Sequence, residues 1–112
     1  MTLSESEYTQ LASSELKQLL ESLDELGDEL EAELASDILT LEFPDGARYV
    51  INSHRAARQI WMAAETRAWH FSFDSSRERW IATKTGEELW QVVREQVSAK
   101  LKHPIVLTAA RA

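Results

Sequence analysis

The sequence predicts an α+β fold: a two-layer α/β sandwich of a helix, an antiparallel sheet of five to six strands and a second helix, with both helices on one face of the sheet. Three observations predict it. Apolar residues recur at steps of three and four near both ends of the chain, at steps of two through its middle, and the middle is punctuated by turn residues. Two amphipathic helices flanking a run of short strands bury their stripes by covering one face of one sheet. With 112 residues, 44% hydrophobic and 28% charged, the composition is that of one globular domain spanning 1–112.

The first helix is carried by Tyr8, Leu11, Ala12, Leu16, Leu19, Leu20, Leu23 and Leu26, and Gly27 suits the left-handed position that closes it. Residues 30–34 then alternate as a half-buried first strand. Residues 38–43 and 47–52 flank Pro44-Asp45-Gly46 and read as a hairpin, and 59–64, 69–74 and 80–83 read as three more strands. Thr85-Gly86-Glu87-Glu88 has the pattern of a capping box opening a second helix with Leu89, Trp90, Val93, Val97 and Leu101 on one stripe and Lys100 and Lys102 near its end. The apolar tail at 104–107 is expected to lie back on the body.

Charge is distributed unevenly. Residues 1–37 hold eleven acids against Lys17, a net of −10, whereas the remainder carries 11 Lys/Arg against 8 Asp/Glu. Such a field draws cations or basic partners and repels nucleic acid and anionic membranes. The absence of cysteine excludes disulfides, thiolate metal sites and thiol nucleophiles. Residues 1–5 show neither the basic start of a signal peptide nor the Arg-rich character of a transit peptide, no apolar run reaches the ~18 residues of a span, and a cytoplasmic protein is expected.

The acids have a pattern of their own. Glu7, Glu21, Asp24, Glu25 and Asp28 fall on one arc opposite the leucine stripe, and Glu29, Glu31 and Glu33 share the solvent side of the first strand, so the two sets meet near Asp28 as a ridge. If the helix continues through them, Glu21–Glu25, Asp24–Asp28 and Glu25–Glu29 are like-charge pairs, each unfavourable by ~0.2–0.5 kcal/mol. Stability does not select such a cluster. Carboxylates at a hydrated surface suit hard cations, so calcium, magnesium, manganese, iron or the basic surface of a protein all fit.

Alternation assigns Leu39, Leu41, Phe43, Tyr49, Ile51, Ile60, Met62, Phe71 and Phe73 to the helix side of the sheet. Thr40, Glu42, Arg48, Asn52, Gln59, Trp61, His70 and Ser72 then face outward, where Trp61 is an exposed aromatic of the kind that anchors a partner or packs under a flanking loop. Catalysis finds little support. Ser4, Ser13 and Ser14 lack a histidine partner or a glycine elbow, and His54, His70 and His103 show no ligand spacing. His70 is read as a surface or hydrogen-bonding residue.

Residues 33–46, ELASDILTLEFPDG, followed by Val50-Ile51-Asn52, Gln59-Ile60-Trp61-Met62-Ala63, His70-Phe71, Trp80 and Thr85-Gly86-Glu87, resemble the bacterial frataxin family in order and spacing. The resemblance runs from about Tyr8 to Leu101. It implies the same α-β-α layout and a role in iron–sulfur cluster assembly, without catalysis. It further implies weak binding of Fe2+ and Fe3+ along Glu21, Asp24, Glu25, Asp28, Glu29, Glu31 and Glu33, with docking through Asn52, Gln59 and Trp61. The implied partners are the cysteine desulfurase and the cluster scaffold protein, and the chain is expected to be a monomer by default, with iron-dependent oligomers as a possible further state. Ala35 and the stretches His54-Arg55-Ala56-Ala57-Arg58 and Arg67-Ala68-Trp69 depart from the family pattern and are expected to add Arg55, Arg58 and Arg67 near partner-facing loops. A purely electrostatic adaptor, whose ridge meets a basic partner without a metal role, is the competing expectation.

Overall fold

The computed structural model describes residues 3–107. Helix α1 (Glu5–Asp24) leads through a 3-10 turn (Gly27–Glu29) into β1 (Glu31–Ala35), β2 (Ile38–Glu42), β3 (Arg48–His54), a second 3-10 turn (Arg55–Ala57), β4 (Gln59–Ala64), β5 (Arg67–Asp74), β6 (Arg79–Ala82) and helix α2 (Leu89–Leu101). The six strands form one antiparallel meander in chain order.

Both helices cover the same face, as the alternation predicts. Leu16, Leu19 and Leu23 of α1 and Leu89, Val92, Val93 and Val97 of α2 are buried with Leu39, Leu41, Tyr49, Ile51, Ile60, Met62 and Phe71. Each such side chain contributes about 1.5–3 kcal/mol by leaving water. Trp80 is fully buried, with Tyr8 edge-on at 6.1 Å and Phe73 at 5.3 Å; Phe73 itself is half-buried. The tail folds back as expected: Ile105 is buried and its N–H donates to Ser98 Oγ at 3.1 Å.

Helix α1 opens on a capping box in which Ser4 and Glu7 exchange hydrogen bonds between side chain and main chain. It stops at Asp24, two residues before Leu26, the end that Gly27 predicts. The last turn carries no basic side chain, Asp24 and Glu25 lie at the negative end of the helix dipole, and the N–H groups of Glu25 and Leu26 turn to the carbonyls of Ser22 and Leu23. Gly27 does adopt a left-handed backbone, φ +67°, but it opens the 3-10 turn rather than closing the helix. Two of the three expected like-charge pairs, Asp24–Asp28 and Glu25–Glu29, therefore do not share a helix.

Other boundaries shift for similar local reasons. Leu30 is a buried, extended residue before β1, so the strand runs 31–35. The connection from β1 to β2 is a two-residue turn with Ser36 and Asp37 both at positive φ, the geometry that matches the twist of paired strands. Strand β5 starts at Arg67 because it pairs with β4 up to Ala64. Helix α2 is capped by Glu88, whose carboxylate accepts from the N–H groups of Trp90 and Gln91, and not by Thr85, whose hydroxyl accepts from Glu87 N–H within the preceding turn.

Candidate functional site

The face of the sheet opposite the helices is open, and the pairing arranges its side chains in four rows. Glu31, Glu42 and Arg48 form the first. Glu33, Thr40, Val50, Ala63 and Ala68 form the second, and Ala35, Ile38, Asn52, Trp61 and His70 the third; His54, Gln59, Ser72 and Ile81 form the last. Charge is thus concentrated at the β1 flank, while the centre is small, polar or aromatic.

The acidic ridge approaches that flank from the helix layer. Glu21 and Asp24 are exposed on the last turns of α1, Glu25 caps it, Asp28 is exposed on the 3-10 turn, and Glu31 and Glu33 are exposed on β1. Glu29 departs from the expectation. It belongs to the 3-10 turn rather than to the strand, it is half-buried, and its carboxylate is bonded to Nε2 of His103. That contact and the main-chain bond to Pro104 hold the imidazole's pKa above its ordinary value, the Pro104 carbonyl having the larger effect.

Glu42 extends the ridge where the sequence reading stopped short. It stands directly opposite Glu31 and within 3.7 Å of Arg48. A cleft of about 350 Å³ runs between Asp28, Leu30 and Glu31 on one side and Glu42, Phe43 and Gly46 on the other. A second, of about 410 Å³, is lined by Glu31, Glu33, Thr40, Glu42 and Arg48. A two-residue turn at Ser36 and Asp37 would have placed Glu42 beside Glu31 from sequence. Among the described residues no three Asp, Glu or His side chains converge as a cage for one ion. What the ridge offers is a run of carboxylates that can each supply one or two oxygens, with water completing the shell of a hard cation.

The third and fourth rows hold Asn52, Gln59 and Trp61 together. Trp61 is not a free exposed aromatic. It is half-buried, its ring sandwiched between His54 at 3.7 Å and His70 at 4.2 Å, nearly parallel to both. Its indole N–H donates to Gln59 Oε1 at 2.7 Å; Gln59 Nε2 donates to Ser72 Oγ at 3.1 Å, and Gln59 O accepts from Tyr8 Oη at 2.8 Å. Asn52 is Trp61's cross-strand partner and donates to Ser53 O at 3.1 Å. His54 ends β3, and its Nδ1 accepts from Ala57 N–H. Arg55 and Arg58 do lie at this end of the face. Arg67 does not: it starts β5 at the other end, over Trp69 at 4.5 Å and beside Glu87 at 3.9 Å.

The layout of two helices, a six-strand meander and an acidic flank can be compared with known proteins. A family profile described as a frataxin-like domain matches residues 1–103. The chain belongs to the frataxin family. It is 33% identical over 103 residues to the iron-sulfur cluster assembly protein CyaY of Vibrio cholerae, covering 92% of this chain and 97% of that one. It is also 33% identical over 111 residues to the CyaY of Ralstonia nicotianae, covering 96% of each. Among solved structures, the frataxin of Psychromonas ingrahamii superposes with a TM-score of 0.86 over 95% of this chain and 99% of that one at 24% identity, a likeness of fold. A trimeric frataxin of Saccharomyces cerevisiae described as complexed with ferrous has a TM-score of 0.71 at 28% identity, covering 91% of this chain and 89% of that one. The frataxin fold accounts for the α+β sandwich read from the sequence, and no helix among the described residues is long and apolar enough to cross a membrane.

Proposed function

We propose that this chain is a non-catalytic, cytoplasmic iron-binding protein of iron–sulfur cluster assembly. Its cargo is Fe2+ or Fe3+, held weakly on Glu21, Asp24, Glu25, Asp28, Glu31 and Glu33, with Glu29 joining when it leaves His103. Its docking face is the row of Asn52 and Trp61 with Gln59 beside it, and its partners are the cysteine desulfurase and the cluster scaffold protein, on which it acts as iron donor or regulator. The chain works as a monomer, and iron-dependent oligomers are an expected side state. The observation that carries the proposal is the continuity of the acids from the end of α1, across the 3-10 turn, onto the open face of the sheet. Family membership, the name of the CyaY relatives and the ferrous complex of the yeast relative support the same reading.

Mechanistically, an open carboxylate surface binds a hard cation without desolvating it fully, so the ion exchanges quickly. A partner with its own ligands can then take it. The ridge also presents a negative field that speeds encounter with a basic surface. The sheet face supplies shape and hydrogen-bonding groups.

The spread of the ridge, with no converging set of three ligands among the described residues, favours one second reading: a purely electrostatic adaptor whose acids meet a basic partner. The two separate in a cluster-assembly assay reconstituted from desulfurase, scaffold and limiting Fe2+. An iron donor with Glu31→Lys and Glu33→Lys loses iron-dependent transfer even at concentrations where the partner is saturated. An adaptor recovers full effect once saturated.

A further inference from the structure

The molecule has a second, opposite pole. Residues 46–64 contain Arg48, Arg55, Arg58 and His54 and no acid. Arg48 points its charge to Glu42 at the acidic flank. Arg55 and Arg58 are exposed on the turn between β3 and β4, and that turn packs against the start of α1, where Arg58 Nη1 donates to Leu3 O at 2.8 Å. From Glu21 onward the ridge lies at the other end of α1, which starts at Glu5, so its helical part stands about 24 Å from the basic turn. Between them lies the uncharged centre of the open face.

The Trp61 stack belongs to the basic pole. Both faces of the indole are covered and its N–H is used by Gln59, so the slab presents edges rather than a ring face. Because His54 Nδ1 accepts from Ala57 N–H, its ring proton is assigned to Nε2, and His70 carries an exposed ring on the far side. The pole therefore offers N–H donors and two guanidinium groups, a set that recognises carboxylates. The acids nearby are Glu5, which lines the same hollow of about 650 Å³ as Arg55 and Arg58, Glu7, whose carboxylate accepts from Ser4 N–H on the peptide group whose carbonyl takes Arg58, and Asp37, which accepts from Ser13 Oγ.

We propose that this pole is a second docking patch, and that its occupant is an acidic segment of the protein partner whose Asp and Glu side chains meet Arg55, Arg58 and the imidazole edges of His54 and His70. The inference rests on the proposed docking through Asn52, Gln59 and Trp61. The docked surface is bipolar: a basic patch on the partner meets the ridge, and an acidic one meets the turn, which fixes orientation as well as affinity.

The test measures binding of the full chain to purified cysteine desulfurase by calorimetry at low and high salt. Arg55→Glu is the chosen variant because Arg58 also braces Leu3. Arg55→Glu is expected to weaken binding about tenfold at low salt, with the gap narrowing as salt rises, while Arg55→Lys stays within about twofold of the parent. If Trp61→Ala weakens binding and Arg55→Glu does not, the second patch is wrong and the docking face stands. If neither Trp61→Ala nor Glu31→Lys weakens it, the docking face itself is wrong and the patch falls with it. If Arg55→Glu instead abolishes concentration-dependent self-association in sedimentation, the occupant is the ridge of a second copy, and the proposal is overturned.

Discussion

Glu31 and Glu42 stand directly opposite each other in the β1–β2 pair, two like charges on one face of the sheet. Such a pair is unfavourable, and Arg48 beyond Glu42 relieves it. Glu31→Lys is expected to stabilise the fold by about 0.5 kcal/mol at low salt, less as salt rises. It is also expected to weaken iron binding. Urea unfolding and an iron titration of the same variant check both; a variant that is neither more stable nor poorer in iron would separate Glu31 from the ridge.

The His54–Trp61–His70 stack predicts that the sheet face is rigid before any partner arrives. His70→Ala uncovers one face of the indole and is expected to cost about 0.5–1.5 kcal/mol. Trp61 emission should shift to the red as water reaches the ring, a change to be read against a Trp61→Phe control because other tryptophans emit as well. An unchanged unfolding midpoint would mean that the stack contributes no stability.

The buried carboxylate of Glu15 is a different kind of acid from those of the ridge. It is 4% exposed and accepts from the indole N–H of Trp90, tying α1 to α2. Glu15→Ala leaves that N–H without its partner and is expected to cost about 1–3 kcal/mol, whereas Glu15→Gln keeps an acceptor and recovers part of the loss. Iron binding per folded molecule should not change in either variant.

His103 gives the fold a pH-dependent contact. Its folded pKa is raised above 6.5, by the Pro104 carbonyl and by Glu29. The contact therefore contributes stability that is fully present below the unfolded value and is lost as pH rises through the folded one. The difference in stability between the parent and His103→Gln should be present below pH 6.5 and shrink as pH rises above it. A difference that grows with pH would contradict the assignment.

Periodicity made the layers and the core face legible, because Leu39, Leu41, Ile51, Ile60, Met62 and Phe71 alternate strictly and each is buried. It could not show where α1 ends, since that depends on three crowded acids and on main-chain bonds from Glu25 and Leu26. It also could not show Glu42 beside Glu31 without the register set by Ser36 and Asp37. Glu29 on His103 is a contact between residues 74 apart. Long-range contacts of this kind leave no local pattern. The capping-box pattern at Thr85 misled for the opposite reason: Glu88 offered a better cap three residues later.

The most direct test is an NMR titration of the 15N-labelled chain with ferrous iron under anaerobic conditions. Signals of residues 21–33 and of Glu42 should shift or broaden first, with His103 following as Glu29 is drawn away and the Trp61 stack unaffected. If millimolar iron leaves residues 21–33 unchanged while the desulfurase perturbs them, the ridge is a protein-docking surface and the iron-binding account is wrong.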